Sequence, residues 1–379
     1  MMSTRILDKK NLNYNIFIYI LLYSFPIVVE LINLLLMYIF GNYEVFSPIF
    51  NFQNSMFFNS YFIKFYRRSL LGTIIDLINL NISVKNIFII KSIFNIIFTH
   101  QFYRIFVKDF KISSFFSIIF ITPFLLNIVH RLSSISDLLV IVCFLLSVRT
   151  YLNKKYILSI LFILFGILSH ELYLFIFLPL NFYMFTKTRY LFFLSIVVII
   201  SVSFIITSNH DNYSLYLLEK RVEFYGFSIR GDWDKFFKSN ILENVLYTIE
   251  RYIEVGKNSG FRTRIIFHIP VLFIYTFLYL HFLKFIRMKK EMNFYKIIIV
   301  INVSLLVILS LLGHDINRWF SLFLFNSLIL KFLFNNDLST GDVKNFVKFN
   351  LITIFLGPLG VTSTFPYLIS VIKKVSILI

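Results

Sequence analysis

YILSILFILFGILSHELYLFIFLPLNFYMF, residues 156–185, is the stretch on which the fold turns. Two apolar runs, Tyr156–Ser169 and Leu172–Phe185, abut with only His170 and Glu171 between them, and Lys155 and Lys187 flank the whole. One long helix is the competing interpretation. Lysines beside a membrane-embedded stretch belong on the cytoplasmic side. Placing both of these lysines there requires two spans joined by a tight outer hairpin, with His170 and Glu171 at its tip.

The rest of the chain repeats this pattern of apolar runs broken by basic clusters. A net charge of +18 on a chain that is 58% hydrophobic and 20% aromatic does not describe an ordinary soluble domain. A bilayer-spanning helix needs roughly 17–25 mostly apolar residues, and about ten to eleven segments come near that length. They are Tyr14–Ile39, Lys85–Ile105, Ser113–Ile128, Ser134–Ser147, Tyr156–Ser169, Leu172–Phe185, Tyr190–Ile206, Arg264–Phe285, Tyr295–Leu312, Arg318–Phe334 and Phe349–Val371. The expected fold is all-α: a polytopic transmembrane helical bundle of about 10–11 spans, forming a single integral membrane domain over 1–379.

Orientation follows from the basic residues. Arg5, Lys9 and Lys10 precede the first span and hold the N-terminus in the cytoplasm. Alternating from there brings Arg104/Lys108/Lys111, Arg149/Lys154/Lys155, Lys187/Arg189, Lys284/Arg287/Lys289/Lys290 and Lys344/Lys348 to the same side. Gly357, Pro358 and Gly360 interrupt the last segment, so a re-entrant helix competes with a simple span there. The first apolar run is too long for a cleavable signal peptide and no small-residue cleavage site follows it. The one cysteine, Cys143, falls inside an expected span, which excludes a disulfide framework and a cysteine metal site. The positive charge does not point to nucleic acid, because the cytoplasmic flanks facing anionic lipid account for much of it.

With those clusters assigned, the ionisable residues left at membrane boundaries gather on the opposite, outer side: Arg67, Arg68, His130, Arg131, Asp137, His170, Glu171, His314, Asp315 and Arg318. Both stretches long enough to fold outside the membrane map there too. One runs from Gly41 to about Lys85. The other, the large extracytoplasmic loop over 208–263, is nearly balanced in charge. Within it, Phe237, Ile241, Val245, Ile249 and Tyr252 recur at helical spacing opposite Glu243, Glu250, Arg251 and Glu254. An amphipathic helix over 236–255 is expected, either lidding a cavity or packed on the ends of the spans.

Ionisable groups near membrane depth are costly and face a cavity or a partner. Glu171 could serve as a general base beside His170, or as one half of a structural ion pair. In Gly313-His314-Asp315-Ile316-Asn317-Arg318-Trp319, His314 and Arg318 share a helix face, and Asp315 can orient the Arg318 guanidinium. An interfacial belt around Trp319 is the plainer alternative. Arg67-Arg68 offers two guanidinium forks suited to pyrophosphate, and Arg131 and Arg221 add outer cations. There is no HExxH, P-loop, GxSxG elbow or glycine-rich dinucleotide loop. No cytoplasmic loop is long enough for a nucleotide-binding domain, so the substrate must already be activated and in the membrane.

This architecture resembles the integral-membrane polymerases of bacterial surface polysaccharide, the O-antigen polymerases and their relatives. The resemblance covers the whole chain as an arrangement of spans, a large outer loop and outer basic residues; no short motif carries it. It implies a metal-independent glycosyltransferase of the cytoplasmic (inner) membrane with no cofactor. Such an enzyme moves a growing glycan from one undecaprenyl pyrophosphate carrier to the sugar of another. Its partners would be the undecaprenyl-pyrophosphate-linked oligosaccharide and membrane lipids, and a chain-length regulator is a further partner the resemblance allows. By that analogy Arg67, Arg68 and Arg318 hold the pyrophosphate, with His314, Arg131 and Arg221 as further cations. Glu171 or His170 takes the acceptor proton, and Asp315 orients or substitutes. A GT-C type glycosyltransferase usually carries an acidic pair in the first outer loop, where this chain has Glu44 alone before Arg67. A lipid-linked glycan transporter would spread its charges through the membrane and show repeat symmetry. Here Lys91, Asp137 and His100 are the main deeper charges and no repeat stands out.

Overall fold

The computed structural model describes residues 55–63, 69–105, 135–186, 188–207 and 211–227, with single positions at 243, 246, 322, 325, 326, 329 and 333. Among the described residues the protein is all-α, with no strand. The helices are α1 (Ser55–Phe58), α2 (Leu70–Leu77), α3 (Val84–Tyr103), α4 (Ile135–Leu152), α5 (Tyr156–Ser169), α6 (Leu172–Ile176), α7 (Leu178–Phe185), α8 (Leu191–Thr207) and α9 (Asn212–Phe224). The expected spans at 14–39, 113–128, 264–285, 295–312 and 349–371 lie outside the described residues. So does the amphipathic helix over 236–255 apart from positions 243 and 246, and so do most of 318–334.

Helices occupy the places where five spans were expected, but their limits differ for local reasons. α4 runs past Ser147 to Leu152. Its Arg149 stays inside the bundle because the guanidinium donates to Gln101 Oε1 at 2.7 Å. The stretch from Leu172 to Phe185 is two short helices, broken at Phe177 ahead of Pro179. Proline carries no N–H and its ring crowds the preceding turn. Among the described residues no helix is long and apolar enough to cross a membrane. α5 has 14 residues and α8 has 17, while α3 has 20 but carries Lys85, Lys91, Asn95, His100 and Gln101.

The chain divides into two compact units. The first comprises Met1–Ile118, Ile128–Tyr173 and Phe185–Lys238. Its centre is α4, whose residues from Leu138 to Leu145 are all buried and which packs against both α3 and α5. The Gln101–Arg149 bond joins the C-terminal ends of α3 and α4, so those two helices run parallel. α4 closes with Lys154 in the left-handed region (φ 60), where Lys154 N–H donates to Tyr151 O and Lys155 N–H to Thr150 O, both at 2.8 Å. The 6→1 and 5→2 pair satisfies two end carbonyls and reverses the chain. α5 then returns along α4, with Ser159 Oγ donating to Ser147 O at 2.8 Å. The Tyr190 ring lies 5.2 Å from that of Tyr156, so α8 starts beside the start of α5 and packs along it.

This arrangement separates two poles. Arg149, Lys154, Lys155 and Arg189 share one of them. At the other, α1, α2 and α9 close over the start of α3 around Phe57, Phe58, Leu71, Ile75, Ile82, Ile87, Leu215, Leu218 and Val222. α9 is capped by Asp211, whose Oδ1 accepts from Ser214 N–H at 2.7 Å. It ends at Gly226 (φ 74), and the Phe227 ring then packs 5.0 Å from Phe58. Segments from both expected outer loops therefore form one cap.

The second unit comprises Ile119–Asn127, Leu174–Met184 and Ser239–Ile379. Its described core includes Leu322, Phe325 and Ile329, all fully buried. Asn326 Nδ2 donates to Ile176 O at 2.7 Å. That bond gives the last carbonyl of α6, at a helix end where carbonyls lack intrahelical donors, a side-chain partner.

Candidate functional site

The turn at His170-Glu171 is built by the end of α5. His170 leaves the helix with extended backbone (φ −166, ψ 130), so the chain turns rather than continuing as one helix. Phe185 returns to pack its ring 6.1 Å from Tyr156 and 5.3 Å from Tyr151, which confirms the reversal. A glycine at 166 permits it: a Cβ there would sit 2.2 Å from the Tyr173 ring, which lies against the α5 backbone. Tyr173 N–H donates to His170 O at 3.0 Å, and the fully buried Tyr173 hydroxyl lies 3.4 Å from Ser147 Oγ. Ser159, Ser147 and Tyr173 thus mark a polar seam inside the α4–α5 interface.

Both side chains of the pair are mostly buried, His170 at 9% exposure and Glu171 at 13%. His170 Nδ1 accepts from Leu172 N–H at 3.0 Å. In the neutral ring that acceptor role puts the proton on Nε2. Glu171 Oε2 lies 3.3 Å from the same Nδ1. Nδ1 thus meets both the Leu172 N–H and the Glu171 carboxylate, and an imidazole beside a carboxylate is a pairing able to move protons.

The second constellation is one the sequence did not reveal. Arg221 on α9 grips Asp76 on α2 through both carboxylate oxygens, with Nη1 to Oδ2 at 2.8 Å and Nη2 to Oδ1. Arg221, read from the sequence as an outer cation, has both terminal nitrogens committed to this carboxylate. The one signal for Asp76 was a lone carboxylate in the otherwise apolar run LLGTIIDL. Nothing local ties it to a residue 145 positions away. α2 also touches α5, the helix that ends at His170.

Arg67, Arg68, Arg131, His314, Asp315 and Arg318 lie outside the described residues, as do His130 and Glu44. Asp137 lies on α4. Lys91, noted as a deep charge, is fully buried on α3 with Asn95 and Thr99 one and two turns along the same face. The opposite face of α3 exposes Ile89, Ile93 and Ile96. Among the described residues no group of three His, Cys, Asp or Glu side chains comes together to hold a metal ion. No protein-family model, no curated protein and no solved structure matches the chain.

Proposed function

We propose that this chain is a multi-pass protein of the bacterial cytoplasmic membrane that joins undecaprenyl-pyrophosphate-linked oligosaccharide units into a surface polysaccharide. What carries the membrane part of the reading is inverted polarity. α3 buries Lys91, Asn95 and Thr99 and exposes isoleucines; α5 exposes Ile157, Leu158, Leu161 and Phe165; α8 exposes Phe192, Phe193, Ile196, Ile199 and Ile200. Exposed apolar faces of this extent match a hydrocarbon solvent, with polar groups gathered inside. The individual helices are too short or too polar to identify as spans by themselves, so the bundle's polarity bears the weight.

The enzymatic part rests on the mostly buried acid–imidazole turn at the pole away from the lysine and arginine clusters. In the proposed step, Glu171 with His170 takes the proton of the acceptor sugar hydroxyl. The hydroxyl oxygen forms the new bond to the anomeric carbon of the growing glycan. The bond from that carbon to pyrophosphate breaks, and undecaprenyl pyrophosphate departs with the electron pair. Arg67, Arg68 and Arg318, with Arg131 and His314 as further cations, would hold the leaving group, where fixed positive charge offsets the charge that develops. Asp315 would orient Arg318. Arg221 is assigned a different part, tying α9 to α2.

The test is the surface-polysaccharide ladder on a gel from cells carrying Glu171→Gln or Arg318→Ala, with protein level measured in parallel. Collapse to a single repeat unit at normal protein level is the expected result. An unchanged ladder for both variants overturns the site assignment. Total loss of outer-face units points to a transporter, and an incomplete unit to a single-sugar transferase.

A further inference from the structure

α9 turns two unlike faces to its surroundings. Its inner face, Ser214, Leu215, Leu218 and Val222, is buried, and Arg221 beside it binds Asp76. Its outer face is not the polar surface expected of a loop helix in water. Tyr213 is 71% exposed, Tyr216 52% and Phe224 81%. With Lys220 they fall at successive steps of three, four and four residues, which is one stripe along a helix. The Lys220 ammonium lies 5.8 Å over the Tyr216 ring and 2.8 Å from Glu223 Oε2.

The preceding helix supplies the second observation. α8 exposes Phe192, Phe193, Ile196, Ile199 and Ile200, with Ser203 the polar exception near its C-terminal end. After the Asp211 cap the exposed chemistry changes to phenols, a phenyl ring and an ammonium with a long aliphatic stem. Aliphatic and phenyl groups followed by Tyr and Lys is the order met on passing from the acyl layer of a bilayer to its headgroups. Tyr has an apolar body and a polar tip, so it is stable at that boundary and in neither bulk phase.

We infer that α9 is an interfacial anchor whose Tyr213–Tyr216–Lys220–Phe224 ridge rests in the phospholipid headgroup layer. The inference rests on the membrane reading above and adds a depth to it. Glu219 and Glu223 offset Lys220, so the attachment is aromatic and does not depend on anionic lipid. Through Arg221–Asp76 the anchor also fixes α2, and α2 touches α5. The cap and the His170-Glu171 turn are thereby held near the level at which a lipid-linked pyrophosphate lies.

The experiment uses the full chain in phosphatidylcholine vesicles, with single nitroxide-labelled cysteines replacing Ile199, Tyr216 or Phe224 in a Cys143→Ala background. Cys143 is buried, so the unaltered Cys143 chain serves as the background if that variant does not fold. Collision of the labels with oxygen and with a water-soluble nickel chelate reports depth. The expected result is strong oxygen preference at Ile199 and an intermediate, near-balanced ratio at Tyr216 and Phe224. Adding phosphatidylglycerol should leave that ratio unchanged within twofold. Free nickel access at both α9 labels with Ile199 still in hydrocarbon overturns the anchor alone. Nickel access at Ile199 as well overturns the membrane reading too. Protection of the α9 labels from both reagents would place them under protein rather than lipid, and also overturns the anchor.

Discussion

Removing the Arg221 guanidinium should loosen the cap at one pole of the first unit. In Arg221→Met the aliphatic length stays and both bonds to Asp76 are lost. Breaking a fully buried pair by deleting one partner costs about 3–5 kcal/mol, whereas an exposed pair contributes about 1 kcal/mol or less. Here the side chains are 16% and 23% exposed, so solvent screening discounts the buried figure. The expected loss is about 2 kcal/mol for Arg221→Met and about the same for Asp76→Asn. Each single variant breaks the same bidentate ion pair, so the double variant should lose about 2.5 kcal/mol rather than about 4, a coupling of about 1.5 kcal/mol. Arg221→Lys should recover only part, because an ammonium cannot span both carboxylate oxygens in the guanidinium's planar geometry. Urea unfolding in mild detergent, followed by near-ultraviolet circular dichroism, measures all four proteins. Additive losses in the double variant would refute the clamp. So would an Arg221→Met protein of unchanged stability that fails to make polysaccharide, since that would return Arg221 to the substrate.

Three further outcomes are expected. Gly166→Ala drives a methyl into the buried Tyr173 ring, so it should lose about 1–3 kcal/mol by overpacking, read by the same unfolding curves; a stable variant would show that the turn does not need that contact. Lys154→Gly relieves a left-handed residue in the turn after α4 and should gain about 1 kcal/mol, visible as a raised melting temperature in detergent. Burial pushes the Tyr61 phenol well above its ordinary range, so the folded state holds that proton more tightly than the unfolded chain does. Its contribution is complete below about pH 10, the unfolded phenol's pKa, and is lost as pH rises beyond it. Tyr61→Phe should therefore flatten the alkaline limb of the stability curve between about pH 10 and 11, and an unchanged limb would dismiss Tyr61 as its cause.

Among the described residues, the primary structure by itself determined the all-α class, the places of α3, α4, α5 and α8, and the break at 170–171. Hydrophobic runs with charged flanks are local patterns, and a solvent preference is written into each residue. The all-α class follows from that, and so does the convergence of Arg149, Lys154, Lys155 and Arg189 on one pole, because basic flanks of successive helices alternate in register. It also marked His170 and Glu171, since two ionisable residues between apolar runs stand out without any knowledge of neighbours. Only the tertiary structure decided what those residues meet. The pairing of Asp76 with Arg221 joins segments 145 positions apart, and no periodicity encodes a contact of that range. The donor that Ile176 O finds in Asn326 and the acceptor that Arg149 finds in Gln101 are likewise supplied from elsewhere in the chain. The aromatic ridge of α9 was hidden for a related reason: the sequence marked an amphipathic helix only over 236–255, and Tyr213, Tyr216 and Phe224 stand out only once packing shows which face of α9 is already taken. Composition states how much apolar surface a helix has, and only its neighbours decide which side remains for the lipid.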